Sequence, residues 1–237
     1  MNGENRYYPV FLDLKDRLAV VVGGGLVALR KVESLIGAAA RVRVVSPEVV
    51  PEIQALEGVE LKLKPYDSHD LAGAYLVVAA TDDEAVNLAV SRDAAECRIF
   101  CNVVDRPEVC SFIVPSVVEQ GPIKIAISTG GVSPALAKRL RMELGAMIGD
   151  EYVSLARILG ALRPLVLSQE GGHAAHKRVF EVLVNSDLLD ALGGGAGRID
   201  VDELDVAGAA EDEVHHRGLV DDRVRVRLDD DRGDQIG

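Results

Sequence analysis

The chain has 237 residues, a formal net charge of −12, and 48% hydrophobic residues. That length leaves room for one nucleotide-binding-sized α/β domain plus a smaller unit, and the apolar share supports a sizeable core. The negative charge argues against nucleic acid or an anionic membrane as partner, and no run of about 18 apolar residues is present to span a bilayer.

In chain order, residues 8–14 predict an extended segment, with Lys15-Asp16-Arg17 as a polar turn. Leu18-Ala19-Val20-Val21-Val22 then predicts a buried strand. Gly23-Gly24-Gly25 turns the chain, and Val27, Leu29, Val32, Leu35 and Ile36 carry a helical stripe that ends at Gly37. Gly23-x-Gly25-x-x-Ala28 fits the dinucleotide-binding turn of a βαβ unit. Gly23 permits the tight turn, Gly25 lets the backbone approach a pyrophosphate, and Ala28 lets helix and strand pack closely. The helix start offers free N–H groups to the anion. A structural turn without a ligand is the other reading of the same residues.

Further strands are predicted over 41–45, 59–63, 75–80 and 98–104, with helices near 49–58 and over 83–96. Thr81 or Asp82 is the expected cap of the latter helix. This order with short connections is a doubly wound α/β sheet. Two adjacent strands over 111–118 and 122–128 then predict an antiparallel pair that leaves the sheet. Ser133 at N-cap and Pro134 at N1 start a helix over 134–149, with Leu136, Leu140, Leu144, Met147 and Ile148 as its apolar face. Amphipathic segments follow over 152–167 and 174–192, with a break expected at Pro164.

From Gly193 onward 13 acidic residues stand against 6 basic ones. That balance of −7 leaves only −5 for the rest of the chain, so the bulk acidity does not describe the field at a site. The expected organisation is 1–113 as the nucleotide-binding domain, 114–149 as a strand-plus-helix unit, 150–192 as a helical unit, and 193–237 as a disordered acidic tail. Residues 1–8 are polar and lack the apolar stretch of a leader. Cys97, Cys101 and Cys110 carry no Cys-x-x-Cys spacing and predict reduced thiols of a cytoplasmic protein. His173-x-x-His176 lacks a third ligand, and no metal site is predicted.

Three places can carry chemistry. At the end of the second strand, where an acidic residue usually bonds a ribose, stands Ser46, with Pro47 and Glu48 after it; an ordinary strand-end turn would look the same. Asp105 follows the last strand of the sheet, as Thr81 follows its neighbour, and ligands of open α/β sheets bind outside those ends. Asp105 reads either as a general base or as the cap of a turn before Pro107. In Ser128-Thr129-Gly130-Gly131-Val132-Ser133-Pro134, hydroxyls, glycines and a helix N-terminus suit an anion. Lys138, Arg139 and Arg141 follow, and Lys138 shares a face with Arg141; Lys124 lies on the preceding strand. A capped helix with a solvated basic face is the alternative.

Five ordered blocks carry a resemblance. They are Gly23-Gly24-Gly25-x-Val27-Ala28-x-Arg30-Lys31, Ala79-Ala80-Thr81-Asp82-Asp83, Cys101-Asn102-Val103-Val104-Asp105, Ser111-Phe112-Ile113-Val114-Pro115-Ser116, and the 128–134 block. Together they resemble the precorrin-2 dehydrogenase family, which also forms the N-terminal module of sirohaem synthase. The resemblance covers about residues 7–192 and implies NAD-dependent oxidation of precorrin-2 to sirohydrochlorin. In some members of the family ferrous iron is then inserted. It also implies a homodimer built through the middle unit. Asp105 matches the family's candidate catalytic acid or base, and Leu26, Val27, Pro47 and Glu48 match positions against the cofactor. With Gly23, Gly24, Gly25, Ser46, Thr81, Asn102 and Val103 these form the expected NAD site. Ser128, Thr129, Gly130, Lys138, Arg139 and Arg141 form the expected substrate site. The methyltransferase domain of the fused synthases is not in this sequence, so synthesis of precorrin-2 is not expected of it. A non-catalytic NAD-sensing module is the competing function; it needs only the glycine-loop half and leaves residues 111–141 without a purpose.

Overall fold

In the computed structural model, residues 7–169 and 172–194 are described. Within them the chain divides into two compact units. One holds the residues up to Pro115 together with Gly130–Val132, and the other holds Ser116–Thr129 and the chain from Ser133 on.

The first unit is a five-stranded, wholly parallel sheet in the order β3-β2-β1-β4-β5. Its strands are β1 (Leu18–Val22), β2 (Arg41–Val45), β3 (Val59–Lys62), β4 (Leu76–Ala79) and β5 (Phe100–Val103). Every residue of β1 and β4 is buried, as expected where both faces of a parallel sheet are covered. The period of two divides these residues between two cores. Ala19, Val21, Val42, Val44 and Val78 meet Ala28, Val32 and Leu35 of α1 (Leu26–Gly37) and Ile53 of α2 (Pro51–Gln54). On the opposite face, Val20, Val22, Val77, Ala79 and Val103 meet Val90 and Ala94 of α3 (Glu84–Glu96). The chain order reverses direction between β1 and β4, so a crevice opens at the carboxyl ends of these two strands.

Three differences from the sequence reading have local causes. The cap of α3 is Asp83, whose carboxylate accepts from the Ala85 and Val86 amides at 2.8 and 3.2 Å, while Thr81 is engaged elsewhere. Residues 111–115 are not strand; Ser111 folds back on Cys101, donating its amide to the Cys101 carbonyl at 2.9 Å and accepting the Cys101 amide on Oγ at 2.7 Å. Pro164 does not break its helix, because α5 runs from Asp150 to Ser168 straight through it. The expected 174–192 segment is itself interrupted at Asn185–Asp187, between α6 (Gly172–Val184) and α7 (Leu188–Gly193). There the Asn185 Nδ2 group joins the Asn185 backbone N–H on the Glu181 carbonyl, at 2.6 and 3.1 Å, and the Ser186 hydroxyl donates to the Leu183 carbonyl at 2.8 Å, so side-chain donors serve the carbonyls at the end of α6.

The second unit begins with the antiparallel pair β6 (Ser116–Gln120) and β7 (Ile123–Ile127). Gln120 Nε2 donates to the Gly145 carbonyl of α4 (Pro134–Met147) at 2.9 Å. Ile158, Leu162 and Val166 of α5 share a core with Val179 and Leu183 of α6 and with Leu192. Among the described residues no helix is long and apolar enough to cross a membrane. The tail beyond residue 194 lies outside the described residues.

One buried charge fixes the β3–β4 connection. Asp70 is 2% exposed and accepts from Lys62 Nζ at 3.1 Å, Lys64 Nζ at 2.6 Å and the Asp67 amide at 3.0 Å. Burial opposes its charge, but the Lys64 and Lys62 ammonium groups and the Asp67 amide outweigh that and hold the carboxyl below its usual range. Its stabilising contribution is therefore complete above the ordinary carboxylate pKa and disappears as pH falls through the lowered folded value. Asp70→Asn should cost about 2–4 kcal/mol in urea unfolding at neutral pH, and the difference from wild type should shrink in acid. A constant difference across that range would show that charge is not what Asp70 contributes.

Candidate functional site

The glycine loop is shaped by what lies against it. Gly23 has φ of +128°, and a Cβ there would come within 2.3 Å of the Ala80 carbonyl oxygen. A Cβ on Gly24 would come within 1.9 Å of the Glu48 carbonyl oxygen. The loop is thus pressed between the ends of β4 and β2, and only glycine fits at either position. Two bonds tie it there: the Gly23 amide donates to the Val45 carbonyl at 3.0 Å and the Val50 amide to the Gly24 carbonyl at 2.8 Å.

Gly25 is different. It is the N-cap of α1, with ordinary φ of −87°, and nothing lies within 4 Å of an added Cβ. The open space lies where the first amides of α1 have no helical acceptor. Leu26 and Val27 are 64% and 37% exposed beside it, and Ala28 is buried against the sheet. The cradle fits a dinucleotide pyrophosphate: a backbone free of side chains, a helix N-terminus, and apolar surface for the rest of the ligand. Pro47 and Glu48 are exposed and Ser46 is partly exposed at the adjoining strand end.

Thr81 is held by a residue that the motif reading passed over. Its hydroxyl donates to Asn87 Oδ1 at 2.9 Å, and Asn87 Nδ2 returns a bond to the Thr81 carbonyl at 2.8 Å. Asn87 thereby fixes the backbone that Gly23 presses on. Asn102 and Val103 are placed differently from the other expected cofactor residues. Val103 is 2% exposed within the core, with its amide on Cys110 Sγ at 3.1 Å. Asn102 is buried and donates to the Phe112 carbonyl at 3.1 Å. The Asn102 side chain and the Val103 backbone amide thus tie β5 to the segment that follows it.

Asp105 stands just beyond β5 in the left-handed region, with φ of +60°. It is exposed, and its carboxylate makes no hydrogen bond to any described residue, so it is not the cap of the turn before Pro107. Lys31, half-buried on the second turn of α1, feels that carboxylate. Burial and Arg30 pull the Lys31 ammonium below its usual range, and Asp105 opposes them. Asn87 has no signature of its own in the sequence, and Lys31 belongs to the glycine-loop block without pointing to Asp105; both act through proximity that the fold creates.

Residues 128–134 are closed on themselves. Thr129 Oγ1 accepts the Ser133 amide and donates to the Ser133 carbonyl, each at 3.1 Å, and Ser133 Oγ accepts the Leu136 amide at 3.2 Å. Gly130 and Gly131 take φ of +62° and +85°. The Thr129 hydroxyl is therefore spent on the loop. On α4, Arg139 pairs with Glu143 at 2.7 Å, Lys138 is exposed and Arg141 is partly exposed. Lys124 pairs across the hairpin with Glu119 at 2.8 Å. A hollow of about 680 Å³ in this unit, lined by Gln120, Gly145, Asp150, Ser154 and Arg157 among others, contains none of the expected site residues.

A family described as "Putative NAD(P)-binding" matches residues 10–116, and one described as "Sirohaem biosynthesis protein central" matches residues 120–147. A siroheme synthase of Thioalkalivibrio sulfidiphilus is 42% identical over 192 residues, covering 80% of this chain and 39% of that protein. One from Nitrosospira multiformis is 40% identical over 196 residues, with 80% and 42% covered. One from Salmonella dublin is 38% identical over 222 residues, with 90% and 47% covered. The chain thus spans less than half the length of these relatives. Among solved structures, "SirC, precorrin-2 dehydrogenase" superposes with a TM-score of 0.68 at 28% identity, covering 79% of this chain and 94% of that one.

Gly25→Asp separates ligand from scaffold. An Asp N-cap suits a helix and meets no neighbour here, but puts negative charge where a pyrophosphate would lie. Thermal stability should be kept or raised while NAD affinity, by isothermal titration calorimetry, falls at least about ten-fold. Unchanged affinity would remove the loop from the binding site.

Proposed function

Because this chain belongs to the family of sirohaem-biosynthesis proteins with an NAD(P)-binding first half, we propose that it oxidises precorrin-2 to sirohydrochlorin with NAD. The observation that carries this reading is Asp105, an exposed carboxylate with no hydrogen bond to any described residue, beyond the carboxyl end of β5 in a sheet whose glycine loop is shaped for a dinucleotide. Bound NAD supplies the hydride acceptor. The protein's part is to hold reactants in place and to take the accompanying proton.

In this reading Gly23, Gly24 and Gly25 and the first amides of α1 take the pyrophosphate, Leu26 and Val27 give apolar contact, and Ser46, Pro47 and Glu48 flank the ribose. Thr81, fixed by Asn87, borders the same crevice. The carboxylate of Asp105 accepts the proton released when the macrocycle gives up its hydride, so one substrate loses two hydrogens and NADH and a proton result. Its charged form is the one suited to that step. Ser128, Thr129, Lys138, Arg139 and Arg141 on the second unit, and Gly130 on the first, are the proposed contacts for the carboxylates of the tetrapyrrole. Thr129 serves there by holding the loop, given that its hydroxyl is engaged.

Ferrous iron is a proposed second substrate. The macrocycle supplies the nitrogens that hold it, and Asp105 can assist removal of the two pyrrole protons. A homodimer through the hairpin and α4 accounts for the exposure of Val117, Leu136, Met142 and Met147, at 37%, 48%, 60% and 67%. The reducing cytoplasm is the proposed compartment, where thiols such as Cys97, Cys101 and Cys110 stay reduced.

Anaerobic addition of precorrin-2 and NAD should produce NADH stoichiometrically with sirohydrochlorin, and Asp105→Ala should slow this roughly 10²–10⁴-fold. Well-folded wild-type protein that binds NAD but forms no NADH would overturn the assignment in favour of nucleotide sensing. Subsequent addition of ferrous or cobaltous ion, followed by absorbance, reads the chelation step on its own. Sedimentation equilibrium should give twice the 25.3 kDa chain mass, and a monomer would remove the dimer from the proposal.

A further inference from the structure

The loop that carries Asp105 is closed from inside by a sulfur atom. Cys110 Sγ lies 3.1 Å from the Val103 amide nitrogen, 3.3 Å from the Val103 carbonyl oxygen and 3.2 Å from the Arg106 carbonyl oxygen. The amide donates to sulfur, and the thiol proton has two carbonyls within reach. These backbone groups bracket Asp105, two residues before it and one after. Asn102 adds a second strap on the same side, donating to the Phe112 carbonyl at 3.1 Å and approaching Cys110 Sγ at 3.7 Å. From the solvent side the Arg106 guanidinium bridges Glu108 and Glu84 at the start of α3.

None of these contacts uses the Asp105 carboxylate. They act on the backbone, and they hold an L-residue at φ of +60°, a conformation it seldom adopts without support. The outcome is a fixed backbone at Asp105, whose carboxylate has no hydrogen bond to any described residue.

We propose that Cys110 is a positioning residue for Asp105, its thiol closing the Val103–Cys110 loop so that the carboxylate is held in one direction for proton transfer. This rests on the reading of Asp105 as the proton acceptor. The role demands a group that accepts and donates at one point. A hydroxyl at position 110 retains both capacities, and a methyl group retains neither.

The test compares Cys110→Ala, Cys110→Ser, Asp105→Ala and the Asp105→Ala/Cys110→Ala double variant, each as the full chain. Cys110→Ala should lower kcat for precorrin-2 oxidation roughly 10- to 100-fold, as expected for a misplaced catalytic group, with NAD affinity by calorimetry within about two-fold of wild type. Cys110→Ser should recover most of that loss. In the Asp105→Ala background, removing the thiol should change kcat by less than about two-fold, because residues acting as one unit do not add. Amide exchange at Val103 should be faster in Cys110→Ala and near wild type in Cys110→Ser. Equal losses in both backgrounds, or loss of NAD binding along with kcat, would reduce Cys110 to a general structural residue and overturn the proposal. Wild-type kcat in Cys110→Ala beside an impaired Asp105→Ala overturns the proposal alone. Full activity in Asp105→Ala overturns the reading of Asp105 and the proposal with it.

Discussion

Two backbone approaches at the end of β1 set the arrangement of the first unit. Gly23 lies against the Ala80 carbonyl and Gly24 against the Glu48 carbonyl, at distances that leave no volume for a side chain. The consequence reaches past the loop itself. Three strand ends are drawn together at the point where the sheet reverses its winding, and the bond from the Val50 amide to the Gly24 carbonyl joins the second of them to the first. With the scaffold occupying one side of the loop, the opposite side, at Gly25 and the start of α1, is left free for a ligand. The same contact that makes the turn therefore decides which of the three glycines faces outward.

The division of labour among the glycines is only partly visible in a linear motif. The pattern Gly23-x-Gly25-x-x-Ala28 is legible because each position's requirement is local: a positive φ, an approach, a close helix. That Gly24 is the most crowded of the three depends on residues 48 and 49, which reach it through the fold. The strands β1, β2 and β4 were readable for the same local reason, as apolar runs of the right length between turn signals. Ser111 and Phe112 were not. They have strand-like composition, yet side-chain and backbone groups of Ser111 find partners on Cys101, and that pairing competes successfully with strand extension. Pro164 illustrates the reverse case, where the burial of Leu162 and Val166 on either side keeps a helix intact through a residue that disfavours it.

The site shows a similar split. Asp105 is conspicuous in the sequence as the polar residue after an apolar strand, but two explanations of it compete there. Geometry separates them, since a carboxylate capping the turn before Pro107 would be hydrogen-bonded to it, and this one bonds to none of the described residues. Asn102 and Val103 have partners that adjacency in sequence does not reveal. In the structure Asn102 donates to the Phe112 carbonyl and Val103 lies in the core. The residues that orient the neighbourhood, Asn87, Cys110 and Arg106, have no pattern of their own because their partners lie up to 22 residues away. Electrostatics adds a further layer: Lys31, far from Asp105 in the chain, senses its charge.

The fold-back of residues 110–112 has a consequence for solubility. β5 is an edge strand, and its outward-facing amides, those of Cys101 and Val103, are occupied by the Ser111 hydroxyl and the Cys110 thiol. An incoming strand from another molecule finds those donors already satisfied. At the opposite margin, β3 sets Glu60 and Lys62 along the rim, with Lys64 just beyond it, and charges there discourage strand addition. The two margins are blunted by different means, a chain reversal on one side and salt-bridged side chains on the other. A parallel sheet of five strands can thus remain five strands when copies of the chain are crowded together.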